Sequence, residues 1–559
     1  MAIGGKATGF GGALRCGLVP AIALIPTLAL AQEAPDAGQV LREQAAPRLE
    51  QPKADELPLL APAPQAMLRE GGASFVLSGI TLEGVTAFPE ADLIRRVSGA
   101  YGSRLDYAGV RALSDRIVAY YRRHGYPFVS SYLPPQTVEG GVVRIHVLEG
   151  RYGAVEARGA EPLRRGAQRY LERLHTGDLI ETRQLERALL LLGEQPAIRV
   201  APFIQRGAAL GTGDLIVPVS RNQRFAASLG ADTSGSGYTG RYRLNAGLQI
   251  NSGLVFGDKL ALNGVLSDQL LWLGSATYVV PIWHDGLKLQ ANYTHTAFEL
   301  GGEFADLKAH GFARIAAADL EYPLIRSQRG NLRLQVGGQQ KWLVNQYDAI
   351  AFSDRQSSLS AHATLLADHH DKLLGGGLTY GAAAWWHGKL SVDPGQALID
   401  ALTTQRAGVF NKWTLDVVRL QTLPGSFSLF HHFSAQWSDR NLESSERLAL
   451  GGEDAVRAYP KGEGIGDTGW ALQNELRVGR GWLKPYAFFD IGHSRANHRP
   501  WDEGSAAVRS ISGAGLGARA TIRRINLDAF LAWPVSGGQP IVAPEDFNPH
   551  WSVSVSCAL

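Results

Sequence analysis

The stretch Trp551-Ser552-Val553-Ser554-Val555-Ser556-Cys557-Ala558-Leu559 alternates without a break. Successive side chains of an extended strand point to opposite faces. Trp551, Val553, Val555, Cys557 and Leu559 therefore share one face, and Ser552, Ser554, Ser556 and Ala558 the other. Apolar-out, polar-in alternation over about ten residues is the pattern of a strand in a transmembrane barrel. The same texture runs back to about Arg224. It shows in Leu287-Lys288-Leu289-Gln290-Ala291, Leu332-Arg333-Leu334-Gln335-Val336 and the run from Phe427 to Ser438, separated by Gly, Asp, Asn and Ser. At roughly 20 residues per strand and loop, residues 223–559 accommodate about 16 antiparallel strands, each spanning with about 9–11 residues. The expected fold there is a membrane β-barrel.

Composition agrees with many strands and turns. The chain has 65 glycines in 559 residues, well above the usual share of about 7%, with no collagen-like period. Its formal charge is +3, and no Lys/Arg block suggests a nucleic-acid footprint. The N-terminus reads as an export signal over residues 1–31. Lys6 and Arg15 supply positive charge, Gly17 to Leu30 is apolar, and Ala29-Leu30-Ala31 fits a small-x-small cleavage site before Gln32. Arg15 directly before Cys16 is wrong for a lipid-attachment box. Cleavage would leave Cys557 alone, so no intramolecular disulfide is expected. Beyond residue 31 no run of 18 apolar residues occurs, which excludes a spanning helix.

Between signal and barrel the texture changes twice. Residues 32–70 hold a short helix, Asp36 to Glu50, with Asp36 as N-cap, and a Pro- and Ala-rich tether, Pro52 to Pro64. Residues 71–152 read as a small α+β module. A strand over Val76 to Val85 precedes a helix opened by Phe88-Pro89-Glu90. A second helix is capped by Asp106, with Val110, Leu113, Ile117, Tyr120 and Tyr121 on one stripe, and is stopped by Gly125. Phe128 to Leu133 and Val142 to Leu148 close the module as strands, with Arg144, His146 and Glu149 on the wet side. Residues 153–222 repeat this order more weakly. The repeat comprises Val155 to Arg158, helices at Leu163–Leu174 and Thr182–Leu192, and strands at Ile198 to Gln205 and Asp214 to Val219. Two successive modules of this kind resemble polypeptide-transport-associated (POTRA) domains, whose sheet edges can take up an extended client by strand addition.

The richest motif runs from Leu448-Ala449-Leu450-Gly451-Gly452 through Val456-Arg457-Ala458-Tyr459-Pro460 to Gly466-Asp467-Thr468-Gly469-Trp470 and Asn474-Glu475. It is followed by Phe488-Phe489-Asp490-Ile491-Gly492. Upstream, Leu415 to Leu423 and Gln436-Trp437-Ser438 add to the pattern. This set resembles the outer-membrane transporters of two-partner secretion (the TpsB family). Their hallmark is a Val-Arg-Gly-Tyr loop preceded by Leu-Gly-Gly and followed by Gly-Asp-x-Gly, a strand Glu and a Phe-x-Asp-x-Gly strand. The resemblance follows the whole mature chain in order, with its sharp motifs in residues 411–492.

The resemblance implies a lumenal loop in which Arg457 pairs with Asp490 on the inner wall, with Phe488 on the same face as Asp490. It makes Val456, Ala458, Tyr459, Gly451, Gly452, Gly466, Asp467, Glu475 and Gly492 the supporting residues. It also implies an N-terminal helix that plugs the barrel, POTRA domains in the periplasm, and residence in the outer membrane of a Gram-negative bacterium. The implied partners are a large secreted exoprotein with an N-terminal secretion domain, outer-membrane lipid, and the barrel-assembly machinery for its own insertion. Ala458 stands where the family has Gly. A left-handed backbone there would cost Ala about 1 kcal/mol or more.

Other motifs carry less. His369-His370 and His431-His432 are adjacent on strands and face opposite sides, so neither pair chelates one ion. Gly462-x-Gly464-x-Gly466 and Gly513-x-Gly515-x-Gly517 lack the strand-to-helix context of a dinucleotide loop. No nucleophile elbow, Walker loop or His-Glu-x-x-His occurs, so neither catalysis nor a metal or other cofactor is expected. The rival reading is a barrel assembly factor of the same superfamily. Two modules and a plug helix favour export.

Overall fold

The computed structural model describes residues 34–44, 49, 51–52, 73–269, 271–479, 481–542 and 548–559. The signal segment and most of the Pro-rich tether lie outside the described residues. The sequence from Phe225 onward closes into a barrel of 16 antiparallel strands, each paired with its sequence neighbours. The ring is completed by Phe225–Asp232 pairing with His550–Ala558, Ser228 opposite Ala558 and Asp232 opposite Ser554. Closure leaves no unpaired edge, the condition for a sheet to stand in hydrocarbon.

The alternation places side chains as the sequence requires. On the strand Arg243–Asn251, Leu244 and Leu248 are exposed on the outer face, while Arg243, Asn245 and Gln249 turn inward. On the last strand Val555 is exposed outside, whereas Ser552 is buried against the lumenal contents and donates to Glu453 Oε1 at 2.5 Å. In water such rows of exposed leucine would be an aggregation surface; in a bilayer they are the solvent-matched face.

The first module, from Phe75, has the order strand, helix, helix, strand, strand. Gly79–Glu83 lies parallel to Val142–Glu149, and Val129–Tyr132 pairs antiparallel on the other side. Asp106 caps the second helix, Tyr107–Arg123, by accepting from the Gly109 N–H at 2.9 Å. Gly125, at φ +94°, turns the chain out of that helix. Two expectations need correction. The strand read over Val76 to Val85 is split, Phe75–Val76 pairing instead with Arg104–Leu105. Glu149 is buried, because it sits in register with Val143, Ile145 and Val147 on the core side. There it accepts from the Thr86 and Ala87 N–H groups (2.7 and 2.9 Å) and the Tyr121 hydroxyl (2.7 Å). Donors that the fold brings in from Thr86, Ala87 and Tyr121 make the burial of this carboxylate tolerable.

The second module repeats the order. Arg151–Arg158 runs parallel to Thr212–Arg221. The strand read over Ile198 to Gln205 is two, Ile198–Val200 and Phe203–Arg206, both on Thr212–Arg221. Pro202 lies at the break, where it has no N–H to give to a ladder. This module sits on the short turns of the barrel. Tyr170 packs on Phe256 and His284, Arg173 reaches Asp285 at 3.2 Å, and Glu194 bonds Lys288 (3.3 Å) and Arg326. The end of the barrel carrying the modules is thus defined, and the long loops lie at the other.

Candidate functional site: a loop and a helix inside the barrel

The loop between the strands Phe427–Ser438 and Thr468–Val478 does not project outward. It folds into the lumen as a compact hairpin. Leu448 and Gly466 bridge at its base. At its tip the Val456 N–H donates to the Leu450 carbonyl at 2.8 Å, and the Gly452 N–H to the Tyr459 carbonyl at 2.9 Å. Gly452 takes φ +110° to make this turn. At Gly451 any side chain would run into the Pro460 carbonyl, and at Gly466 into the Arg495 carbonyl.

Arg457 leaves the hairpin toward the wall, and its side chain is almost wholly buried. Its Nε lies 2.8 Å from one Asp490 oxygen and Nη2 2.7 Å from the other, a two-pronged fork. The Arg457 N–H adds a third bond to Asp490 at 3.1 Å. The remaining nitrogen, Nη1, donates to Glu475 Oε1 at 2.5 Å. Phe488 lies under the guanidinium, 3.8 Å from its centre. Two carboxylates on adjacent strands thus hold one cation, and a ring covers its face. An unpaired guanidinium here would carry a large desolvation cost, which the fork offsets while fixing direction.

The structure brings together every residue of the motif. Phe488 and Asp490 both face the lumen, opposite Gly515 and Gly513 of the next strand. Val456 is fully buried against Leu450, and both pack over Gly492, whose missing side chain leaves room for them. The Tyr459 hydroxyl lies 2.8 Å from the carbonyls of Ser536 and Gly538. Asp467 anchors the base of the loop, accepting from Arg447 Nε (2.9 Å) and from the Leu442 and His498 N–H groups (3.1 and 2.9 Å). Ala458 is not in the left-handed region. Its methyl instead sits where a side chain at Gly513 would be.

Several partners were not legible in the motif. Glu475 is a hub rather than a support, bonding also Arg477 (2.7 Å) and Arg519 (2.9 Å). Glu463 is fully buried and held by Arg509 at 2.6 Å. Glu446 bridges Lys341 and Lys412, which stand on two further strands of the wall, each at 2.5 Å. The period-two glycines Gly513, Gly515 and Gly517 were the available signal for the loop's seat. They clear one face of a strand for Ala458, Phe488 and Tyr486 respectively.

The helix α1 (Ala37–Gln44) shares the lumen with the loop. Val40 and Leu41 are buried against Phe298, Ala313 and Leu343 of the inner wall. Asp36 caps it through the Gln39 N–H at 2.8 Å and also accepts from Ser444 of the loop. Arg42 donates to the Arg447 carbonyl at 3.0 Å, and the Ala37 N–H to Asn345 at 2.6 Å. Gly38 lies so close to Glu443 that no side chain fits between them. Leu49 is packed farther along the inner wall, against Leu378, Tyr380 and Val418. Among the described residues no three His, Cys, Asp or Glu side chains are placed to hold a metal.

Comparison with known proteins matches residues 211–520 to the family of haemolysin secretion/activation proteins ShlB/FhaC/HecB. Residues 75–150 match the ShlB-type POTRA domain. The heme/hemopexin transporter protein HuxB of Haemophilus influenzae (strain 86-028NP) is 27% identical over 409 residues, 70% of this chain and 71% of that protein. The outer membrane transporter CdiB of Escherichia coli is 24% identical over 529 residues, 89% of this chain and 85% of that protein. Among solved structures, CdiB from Escherichia coli superposes with a TM-score of 0.72 at 21% identity, over 94% of this chain and 96% of that one. CdiB from Acinetobacter baumannii gives 0.61 at 18% identity, over 93% and 96%. With its barrel matched across more than half of its length, the chain belongs to the ShlB/FhaC/HecB family, the outer-membrane transporters of two-partner secretion in Gram-negative bacteria.

Proposed function

We propose that this transporter receives one large exoprotein, unfolded and led by an N-terminal secretion domain, and threads it through the barrel to the cell surface. Residues 71–152 and 153–222 act as periplasmic receptors that take up an extended segment by strand addition, the edge strand Val129–Tyr132 being a template. Residues 32–70 act as a plug on a tether. Residues 223–559 form the conduit, and the barrel-assembly machinery and the surrounding lipid receive it in the membrane. No nucleotide is available outside the cytoplasm, so folding at the surface gives the transport its direction.

The observation that carries this reading is that α1 and the loop occupy the lumen together, bonded to each other and to opposite walls. An extended chain needs the space that α1 holds. In this scheme Arg457, Asp490 and Glu475 keep the loop seated while α1 leaves. Deleting residues 32–60 is expected to raise ion conductance in planar bilayers severalfold. Conductance equal to that of the intact chain would remove α1 from the role of plug.

A further inference from the structure

The outer wall carries charge that the export reading leaves unused. On the strand Ala309–Arg326 the outward residues Ala316, Ala318 and Leu320 form an apolar band, and on Phe352–Asp371 so do Leu359, Ala361, Ala363 and Leu365. At the end of each band away from the POTRA modules stands an exposed arginine, Arg314 and Arg355. Arg314 is in register with Trp342 and Arg355 with Val344, on the strand between them. The two guanidiniums therefore originate about 12 Å apart at ordinary strand spacings. Among the described residues neither forms an ion pair; Arg314 lies against the Phe312 ring, 4.5 Å from its centre. Both line a cleft of about 690 Å³ together with Tyr293, Phe312 and Trp342, and Asp393 contributes its one carboxylate. Trp272, His295 and Phe312 continue as a stacked row on the same face.

An unpaired cation at the rim of an apolar band is costly unless an anion meets it there. Guanidinium forks match phosphate geometry, and aromatic side chains mark the level of the headgroups. The band below the arginines takes acyl chains, and the level of the arginines faces the outer leaflet. We infer that Arg314 and Arg355 hold the phosphates of a phosphorylated glycolipid of that leaflet, seated in the cleft over Trp342 as a specific annular site. The site ties the long-stranded side of the barrel to the leaflet and leaves the lumen free to change.

The test uses the full-length chain in nanodiscs made with diphosphorylated lipid A, with the dephosphorylated form, or with phosphatidylglycerol alone, and reads retained lipid by native mass spectrometry. Diphosphorylated lipid A is expected to be retained on the intact protein. Arg314→Gln with Arg355→Gln should lower retention by at least roughly tenfold, the scale of one lost charge-assisted bond. Arg524→Gln, on a turn at the POTRA end, should change nothing. Heat-modifiable mobility on gels reports that each variant is folded. Equal retention by the double variant, or equal retention of dephosphorylated lipid, overturns the site. Equal retention of phosphatidylglycerol reduces it to general anion attraction and overturns the glycolipid assignment.

Discussion

Arg457 meets two carboxylates, and their geometries are unequal. Asp490 takes two side-chain nitrogens and the Arg457 backbone N–H, whereas Glu475 takes one nitrogen and shares itself with Arg477 and Arg519. Losing one partner of a buried pair costs about 3–5 kcal/mol. Asp490→Asn is therefore expected to unseat the loop and to lower export strongly. Glu475→Gln should do less, because the fork survives. Trypsin cleavage after Arg447 and Lys461, read alongside export, separates the two; equal effects would deny the fork its leading part. A simple charge swap of 457 and 490 is a poor test, since an acid at 457 would face Glu475. Ala458 points the other way. Its backbone is not left-handed, so Ala458→Gly relieves nothing and removes a methyl packed over Gly513. A loss of about 1 kcal/mol in loop seating, with export unchanged, is the expected result, and a gain in thermal stability would contradict it.

At the scale of the element, the first POTRA module turns on Glu149 at the end of its central strand. Burial works against ionisation, but the N–H groups of Ala87 and Thr86 and the hydroxyls of Thr86 and Tyr121 outweigh it, holding the carboxyl below its usual range. Burial, with this carboxylate beside it, pushes the Tyr121 phenol up. A group depressed on folding stabilises above its unfolded value, about 4.3 for Glu. That contribution is lost as pH falls through the folded value. The isolated pair of modules should thus lose stability on acidification below that point, and Glu149→Gln should flatten the loss. At neutral pH the variant is expected to be less stable by about 1.5–3 kcal/mol, the worth of hydrogen bonds to a charged acceptor. Urea unfolding at two pH values measures both; an unchanged pH slope would place the acid sensitivity elsewhere. The helix and strand order of this module was readable because caps and stripes are local. The burial of Glu149 was not, since its donors, Thr86, Ala87 and Tyr121, lie 63, 62 and 28 positions earlier.

At the scale of the whole molecule, the second module is fixed to the barrel by ion pairs and hydrogen bonds at several turns. Glu194 bonds both Lys288 and Arg326 at the turn side. Glu194→Arg turns attraction into repulsion and should weaken docking by about 1.5–3 kcal/mol. Spin labels on the module and on a barrel turn are expected to show a broader distance distribution; an unchanged distribution would mean that the Arg173–Asp285 pair and the Tyr170–Phe256 packing suffice to hold the module. The amino-acid sequence by itself determined the barrel, its strand number, the order of the modules and the identity of the clamp residues. The first three rest on period-two alternation, segment length, caps and glycines, which are properties of neighbouring residues; the clamp residues rest on the motif's resemblance to the TpsB family. Only the tertiary structure decided that Glu475 is a hub, that Glu446 meets Lys341 and Lys412, and that Gly513 makes room for Ala458. These partners lie on the lumenal loop and on several strands, and barrel closure brings them to one lumen, where a charge without a partner is too costly to leave alone.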